Sequence, residues 1–301
     1  MMTVWSSFGQ SIRACLSGAF IGFALIAVPS LQAAPRVFQF TSTLGGTTDN
    51  ATTLDQSFLN HKPNLKLIIT QSGTNTLNNH PVGVHYDSDA KKWQVVNEDG
   101  AAMPIGAVFN VLVPTIGFQV NAGPQNSESA WTFFNMGKGK PDSVLLATHI
   151  DNPFPKLSAV HLNHNIGLYY IEPTVHPTHE TGLWSVFNED ETAPIATSYF
   201  LADVTKDSDP SNPSHSFVVT ASAANTTANG VVINDSLANN NPNAILFTIS
   251  NYNPSGAFAA LFDKVIGVCY SGTNWMIFAE DGTTIPAGVS FNVEVFSAAS
   301  R

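Results

Sequence analysis

Only two cysteines occur in 301 residues, Cys15 and Cys269, so the chain lacks the disulfide framework that props up many small extracellular domains. Charge is scarce too: 11% of the residues are Asp, Glu, Lys or Arg, less than half the usual share of about a quarter. Solubility then rests on Asn, Ser and Thr, which suit short strands joined by polar turns. No window carries a helical hydrophobic period of useful length. There is no phosphate-binding glycine loop, no Gly-x-Ser-x-Gly elbow and no His-Glu-x-x-His pair, so the common signatures of nucleotide binding, serine hydrolysis and zinc proteolysis are missing. Basic runs are missing as well, and the formal net charge of −10 argues against nucleic acid and against an anionic membrane as partners.

Hydrophobic residues, by contrast, make up 44% of the chain, enough for a packed core. Arg13 is the only charged residue before Arg36, and an apolar run from Ala14 to Val28 is followed by Pro29 and small residues. Residues 1–33 therefore read as a secretory signal peptide cut after Ala33, with a run short for a membrane span. The expectation is a secreted protein, at the cell surface, extracellular or periplasmic, with no membrane association after cleavage. Its one remaining cysteine, Cys269, reads as a small buried hydrophobe.

Laid on itself, the chain matches in three places. A Gly-centred apolar strand recurs as Val82-Gly83-Val84-His85-Tyr86, Ile166-Gly167-Leu168-Tyr169-Tyr170 and Ile266-Gly267-Val268-Cys269-Tyr270. A Trp strand follows each, beginning at Trp93, Trp184 and Trp275, and runs into Glu98-Asp99-Gly100, Glu189-Asp190-Glu191 and Glu280-Asp281-Gly282. Pro104, Pro194 and Pro286 come next, and copies one and three close with Phe109-Asn110-Val111 and Phe291-Asn292-Val293. Copy two lacks the turn glycine, reads Tyr199-Phe200-Leu201 in its last strand and carries a longer insert between Tyr170 and Trp184. The repeats span residues 37–113, 117–204 (divergent, with the insert) and 216–295.

Strict alternation places Val82, Val84 and Tyr86, and their counterparts, on a core face. The glycine on the opposite face marks a bulge or a close backbone approach. Asp99-Gly100 and Asp281-Gly282 read as hairpin turns between the Trp strand and the last strand. The fold expected is all-β: three tandem antiparallel β-sandwich or barrel modules of about six strands each. Only Pro114-Thr115-Ile116 join the first two, which implies packed neighbours. Thr205 to His215, rich in Asp, Ser and Pro, reads as a more extended linker.

The combination of Asn241-Pro242-Asn243-Ala244-Ile245-Leu246-Phe247, Ile266-Gly267-Val268, Trp275 to Phe278, the acidic turn, Pro286 and Phe291-Asn292-Val293 resembles an uncharacterised family of bacterial secreted proteins with tandem β-rich domains. That resemblance implies export and repetition, and brings no activity, cofactor or catalytic residue.

Residues shared by all copies serve the scaffold first, so copy-specific polar clusters are the better site candidates. His161, His164, His176, His179 and Glu180 could hold zinc, although Pro173 and Pro177 argue against the helix that an x-x spacing needs. The acidic turns could hold calcium, without the spacing of an EF-hand loop. Trp93, Trp184 and Trp275 could stack on sugars, but their alternating apolar neighbours favour core anchors; His85 and Tyr169, on the opposite face, are better placed for a ligand. No catalytic residue and no confident cofactor emerge. The leading reading is a non-enzymatic surface or extracellular protein acting in adhesion or assembly, with a surface glycan, a protein or another copy of itself as partner. Multivalent carbohydrate binding is the second reading, and a metal binder or metal-dependent enzyme centred on repeat two is the third.

Overall fold

The computed structural model describes residues 34–152, 159–172, 182–193, 197–204, 213–254 and 259–299. Residues 1–33, expected from the sequence to be a signal peptide, most of the insert of repeat two and residues 205–212 of the linker lie outside the described residues.

The described chain is all strand and loop, with seven strands per repeat. Repeat one holds β1 (Arg36–Thr41), β2 (Thr47–Thr48), β3 (Ala51–Leu54), β4 (Ile68–Ser72), β5 (Val82–Asp87), β6 (Lys92–Asn97) and β7 (Val108–Val113). Repeat two holds β8 (Gly117–Asn121), β9 (Ser127–Glu128), β10 (Trp131–Phe134), β11 (Leu145–Ile150), β12 (Ile166–Ile171), β13 (Leu183–Asn188) and β14 (Ser198–Asp203). Repeat three holds β15 (Ser214–Thr220), β16 (Thr226–Thr227), β17 (Gly230–Ile233), β18 (Ile245–Asn251), β19 (Ile266–Tyr270), β20 (Trp275–Ala279) and β21 (Ser290–Phe296). The extra strand beyond the six expected is the two-residue β2, β9 or β16.

Each repeat divides into two half-sheets, a quartet such as β2-β3-β6-β5 and a trio such as β1-β7-β4. In the third repeat, apolar side chains of both halves (Val231, Val268, Trp275, Leu246 and Phe291 among them) meet in one buried cluster. The alternation in the sequence is what permits this, since every second side chain points to the same face. Trp93, Trp184 and Trp275 anchor the cores: their rings are buried, and each Nε1–H donates to a loop carbonyl, of Lys62, Lys140 and Asn241 at 2.9–3.0 Å.

The half-sheets do not pair within a repeat. The quartet of repeat one joins the trio of repeat two, the quartet of two joins the trio of three, and the quartet of three joins the trio of one. Three seven-stranded sheets result, and the chain closes on itself as a ring of modules. Pairs inside the half-sheets are antiparallel, but all three junctions are parallel and share one register: Gly83 opposite His149, Gly167 opposite Ser250, and Gly267 opposite Gln71. The hairpin expected at the acidic turns is not formed. β6 pairs with β3 and β5, while β7 pairs with β1 and β4, so the acidic turn starts a crossover from one sheet to the next.

Candidate functional site

The glycine and the glutamate that recur in every copy form one device. Each glycine faces the glutamate of its own acidic turn, and a Cβ at Gly83, Gly167 or Gly267 would lie only 1.8, 2.2 or 2.3 Å from Oε1 of Glu98, Glu189 or Glu280. The glycine thus leaves space for a carboxylate folded inward, and all three glutamates are buried. Their Oε2 atoms reach into the next repeat, accepting the backbone N–H of Leu162 at 2.9 Å, Phe262 at 3.2 Å and Asn78 at 3.3 Å. Repeat one thereby holds two, two holds three, and three holds one. Asparagines add to the closure: the amide of Asn110 donates to Leu246 O at 2.9 Å and that of Asn292 to Leu145 O at 2.8 Å. In repeat two Phe200 occupies the corresponding register position, opposite Thr148.

On this common frame the junctions are dressed differently. Between repeats one and two lies a chain of imidazoles and carboxylates. His149 Nδ1 bonds Glu98 Oε1 at 2.5 Å, His161 Nδ1 lies 3.5 Å from Glu98 Oε2 and 3.9 Å from Asp151 Oδ2, and His85 Nδ1 bonds Asp151 Oδ1 at 2.8 Å. Burial pushes the Glu98 carboxyl up, but the His149 charge and the hydrogen bonds from His149, His161 and Leu162 outweigh it and hold the group below its ordinary value. His161 is raised in turn, chiefly by its hydrogen bond to Glu98. The Thr197 hydroxyl contacts Nε2 of His149, so hydroxyl, imidazole and carboxylate stand in the order of a hydrolytic triad. Thr197, His149 and Glu98 are only 5%, 2% and 2% exposed, so the arrangement braces the junction, and His149 and Glu98 also line a small cavity.

Between repeats two and three the positions of His85 and Asp151 are aromatic, Tyr169 and Tyr252. Tyr169 packs against Tyr252 and Trp131 with ring centroids 5.4 and 5.5 Å away. Ser250 stands where His149 stands, and its hydroxyl favours the charged form of Glu189, yet Glu189 Oε1 has no partner in hydrogen-bond geometry. Burial dominates and raises Glu189 to about 7. At the third junction Gln71 is the counterpart, and burial raises Glu280 to about 7 against the single N–H of Asn78.

Where the junctions meet, a cavity of about 90 Å³ is lined by Gln71, His149 and Ser250 in equivalent positions, together with Thr70, Thr148 and Ile249. A second cavity, about 310 Å³, shares Pro81, His164, Asn165, Lys264 and Val265 with the first and is lined by Asp99, Asp190 and Asp281. Each of these aspartates is tied to a basic side chain, His80 at 2.6 Å, His164 at 2.7 Å and Lys264 at 2.9 Å.

Several sequence candidates land elsewhere than their motif suggested. Tyr169, expected to be exposed, is 4% exposed, because the junction lays Tyr252 and Leu261 over the face opposite its own core. His85, a quarter exposed, is engaged by Asp151. The three tryptophans present no ring face to solvent. His161 and His164 turn to different carboxylates, while His176, His179 and Glu180 lie outside the described residues; among the described residues no three His, Cys, Asp or Glu side chains have metal-holding geometry. Cys269 is buried, its thiol pushed up to about 11 by burial. Asp151 and His149 did not stand out in the sequence; Glu98 did so only as part of an acidic turn that could hold calcium, although the recurrence of Gly and Glu in step was a usable signal for its role beside Gly83.

The architecture is that of a repetitive all-β protein whose modules complete one another's sheets. The chain belongs to the family described as "Domain of unknown function (DUF7452)", whose model matches residues 22–113, 83–176 and 174–295. The middle match straddles the first junction. No curated protein and no solved structure matches the chain.

Proposed function

We propose that the protein is exported and acts outside the cytoplasm without catalysis, in adhesion or assembly, holding three modules in fixed relation for contact with a surface glycan or protein. The observation that carries this reading is the use made of the recurrent residues: Gly83, Gly167 and Gly267, the three glutamates and the three tryptophans are spent on cores and ring closure. What differs between copies at the junctions is buried or already paired, and the triad-like set of Thr197, His149 and Glu98 belongs to the buried frame of the first junction. A rigid three-module unit gains from multivalent contact, because each further contact is intramolecular once the first has formed. The acidic, weakly charged exterior suits neutral glycans or proteins over phosphate-rich partners.

The test combines a glycan array and capture of defined cell-envelope proteins with the mature chain, and light scattering across concentration. Saturable binding to a surface glycan or protein, or concentration-dependent assembly, supports the reading. A strict monomer that binds neither overturns it.

A further inference from the structure

We infer that repeat one carries a binding site for a small organic carboxylate on a compact apolar body. The site is a surface pocket between the start of β1, the loop from β3 to β4 and the join to repeat two. It is independent of the adhesion reading above and stands or falls separately from it.

The pocket, about 230 Å³, combines two cations with an apolar wall: Arg36 and Lys62 line it together with Phe58, Leu65, Val113 and Pro114. The chain has 22 acidic residues against 12 Lys and Arg, yet no Asp or Glu lines this pocket. Lys92 and Lys264 pair with Asp55 and Asp281, whereas among the described residues neither Arg36 nor Lys62 has a carboxylate within ion-pair distance. The Arg36 guanidinium is held in place. It lies 5.0 Å over the Phe58 ring, and Phe58 stands edge-on to the buried Phe38 with centroids 5.3 Å apart. Stacking uses the face of the guanidinium and leaves the N–H donors at its rim for a carboxylate. Drug-sized ligands take pockets of about 300 Å³ or more, so this one suits a body no larger than a single ring or a branched aliphatic chain.

Repeat three supplies its own carboxylate at this place. Arg36 lies opposite Val113 in the same register that sets His215 opposite Val295. Leu54 and Ile233 are likewise equivalent, opposite Trp93 and Trp275, so two residues further on Gln56 corresponds to Asp235. In repeat three the pair is complete: His215 Nδ1 meets Asp235 Oδ2 at 2.6 Å, and His215 is 2% exposed. Lys62 and Asn241 also correspond, since the carbonyl of each accepts its repeat's tryptophan N–H. Asn241 closes its position by donating to Ser297 O at 2.8 Å. Repeat one keeps the cation, has the neutral Gln56 in place of the carboxylate, and puts a second cation where the closing asparagine stands. A carboxylate from outside the chain does for Arg36 what Asp235 does for His215, with Lys62 as a second charged donor. The net negative charge of the whole chain repels polyanions and so selects a ligand with a single charge.

The test titrates ¹⁵N-labelled residues 34–301 with sodium benzoate at neutral pH and follows the backbone amide resonances. Saturable shifts at Arg36, Phe58, Lys62 and Leu65 are expected, with a dissociation constant of about 1 mM or tighter. Benzamide has the same shape without the charge, and acetate has the charge without the body; each should bind about tenfold more weakly. Arg36→Gln should weaken benzoate by about tenfold as well. Gln56→Asp keeps Arg36 but installs the internal pair of repeat three, so it should weaken benzoate to the same extent while its denaturation midpoint does not fall. N-acetyl-leucine separates two sources of the same group. Binding tighter than that of benzoate supports the pocket with a peptide's carboxyl end as its ligand, and weaker binding supports it with a free acid. No saturable shift, shifts confined to other parts of the chain, benzamide binding as tightly as benzoate, or Gln56→Asp binding benzoate as the parent protein does overturns the site.

Discussion

Gly83 has to be small because of the neighbouring strand's end: the carboxylate of Glu98 occupies the space its side chain would take, with His149 and the Leu162 N–H holding that carboxylate in place. Gly83→Ala should cost about 1–3 kcal/mol in chemical denaturation, and a double-mutant cycle with Glu98→Ala should return a coupling of about 1 kcal/mol or more. Simple additivity would show that the glycine serves the strand and not the glutamate. At the turn of repeat two, Glu191 adopts φ 59°, where Gly100 and Gly282 sit at 75° and 77°. A side chain there costs about 1 kcal/mol, so Glu191→Gly should raise the denaturation midpoint by a corresponding amount. Protons give a third test. Glu189 and Glu280 at about 7, and Glu294 at about 8, all raised by burial, keep in the folded chain a proton that the unfolded chain releases near 4.5. Their stabilisation is complete below pH 4.5 and is lost as pH climbs through 7 to 8. Glu98, held low by His149 and its other partners, works in the other direction and loses its contribution only as pH falls below about 4.5. Stability should therefore decline from pH 5 to pH 8, and Glu280→Gln, which can still accept the Asn78 N–H, should recover on the order of 1–2 kcal/mol at pH 8 and little at pH 5.

Strands were readable because their information is local. Alternation at Val82, Val84 and Tyr86, or at Ile266, Val268 and Tyr270, is a property of five consecutive residues, and it placed the core faces and the tryptophans correctly. Removing a tryptophan tests that placement: Trp184→Ala should lower stability by about 3–5 kcal/mol, seen as a shifted denaturation midpoint, and a variant that kept its midpoint would return the ring to the list of ligand contacts. Strand partnership, in contrast, is a property of distant segments. Asp99-Gly100 has the chemistry of a hairpin turn, yet it feeds a crossover, because Trp93 and Phe109 belong to different sheets. The recurring Gly and the recurring Glu were legible as two motifs, and only the fold makes them one. Tyr169 escaped for the same reason: its face is open within its own module and closed only when Tyr252 of the next module arrives. The imidazole and carboxylate chain of the first junction draws His85 and Glu98 from one repeat and His149, Asp151 and His161 from another, so no local spacing could announce it.

Ring closure separates this molecule from an open array of repeats. In an open array each unit contacts only its neighbours, and terminal units fray first. Here each sheet draws strands from two modules and repeat three is fastened to both others, so no module is terminal. Loss of repeat one, two or three leaves a quartet and a trio with bare parallel edges in the remaining pair, and it also strips Glu280, Glu98 or Glu189, respectively, of the backbone N–H that accompanies its burial. Module boundaries in sequence are therefore not boundaries in stability. With residues 34–301 labelled by fluorotryptophan, the ¹⁹F signals of Trp93, Trp184 and Trp275 report the three cores separately without mutation, since all three indoles are buried. Their native resonances should vanish together as denaturant rises, with one midpoint and one slope, as two-state behaviour over the whole ring requires. The Trp275 signal departing well before the other two, with Trp93 and Trp184 still native, would mean that the first two modules stand without closure, and the cyclic contacts would then be fastening a module the ring does not need.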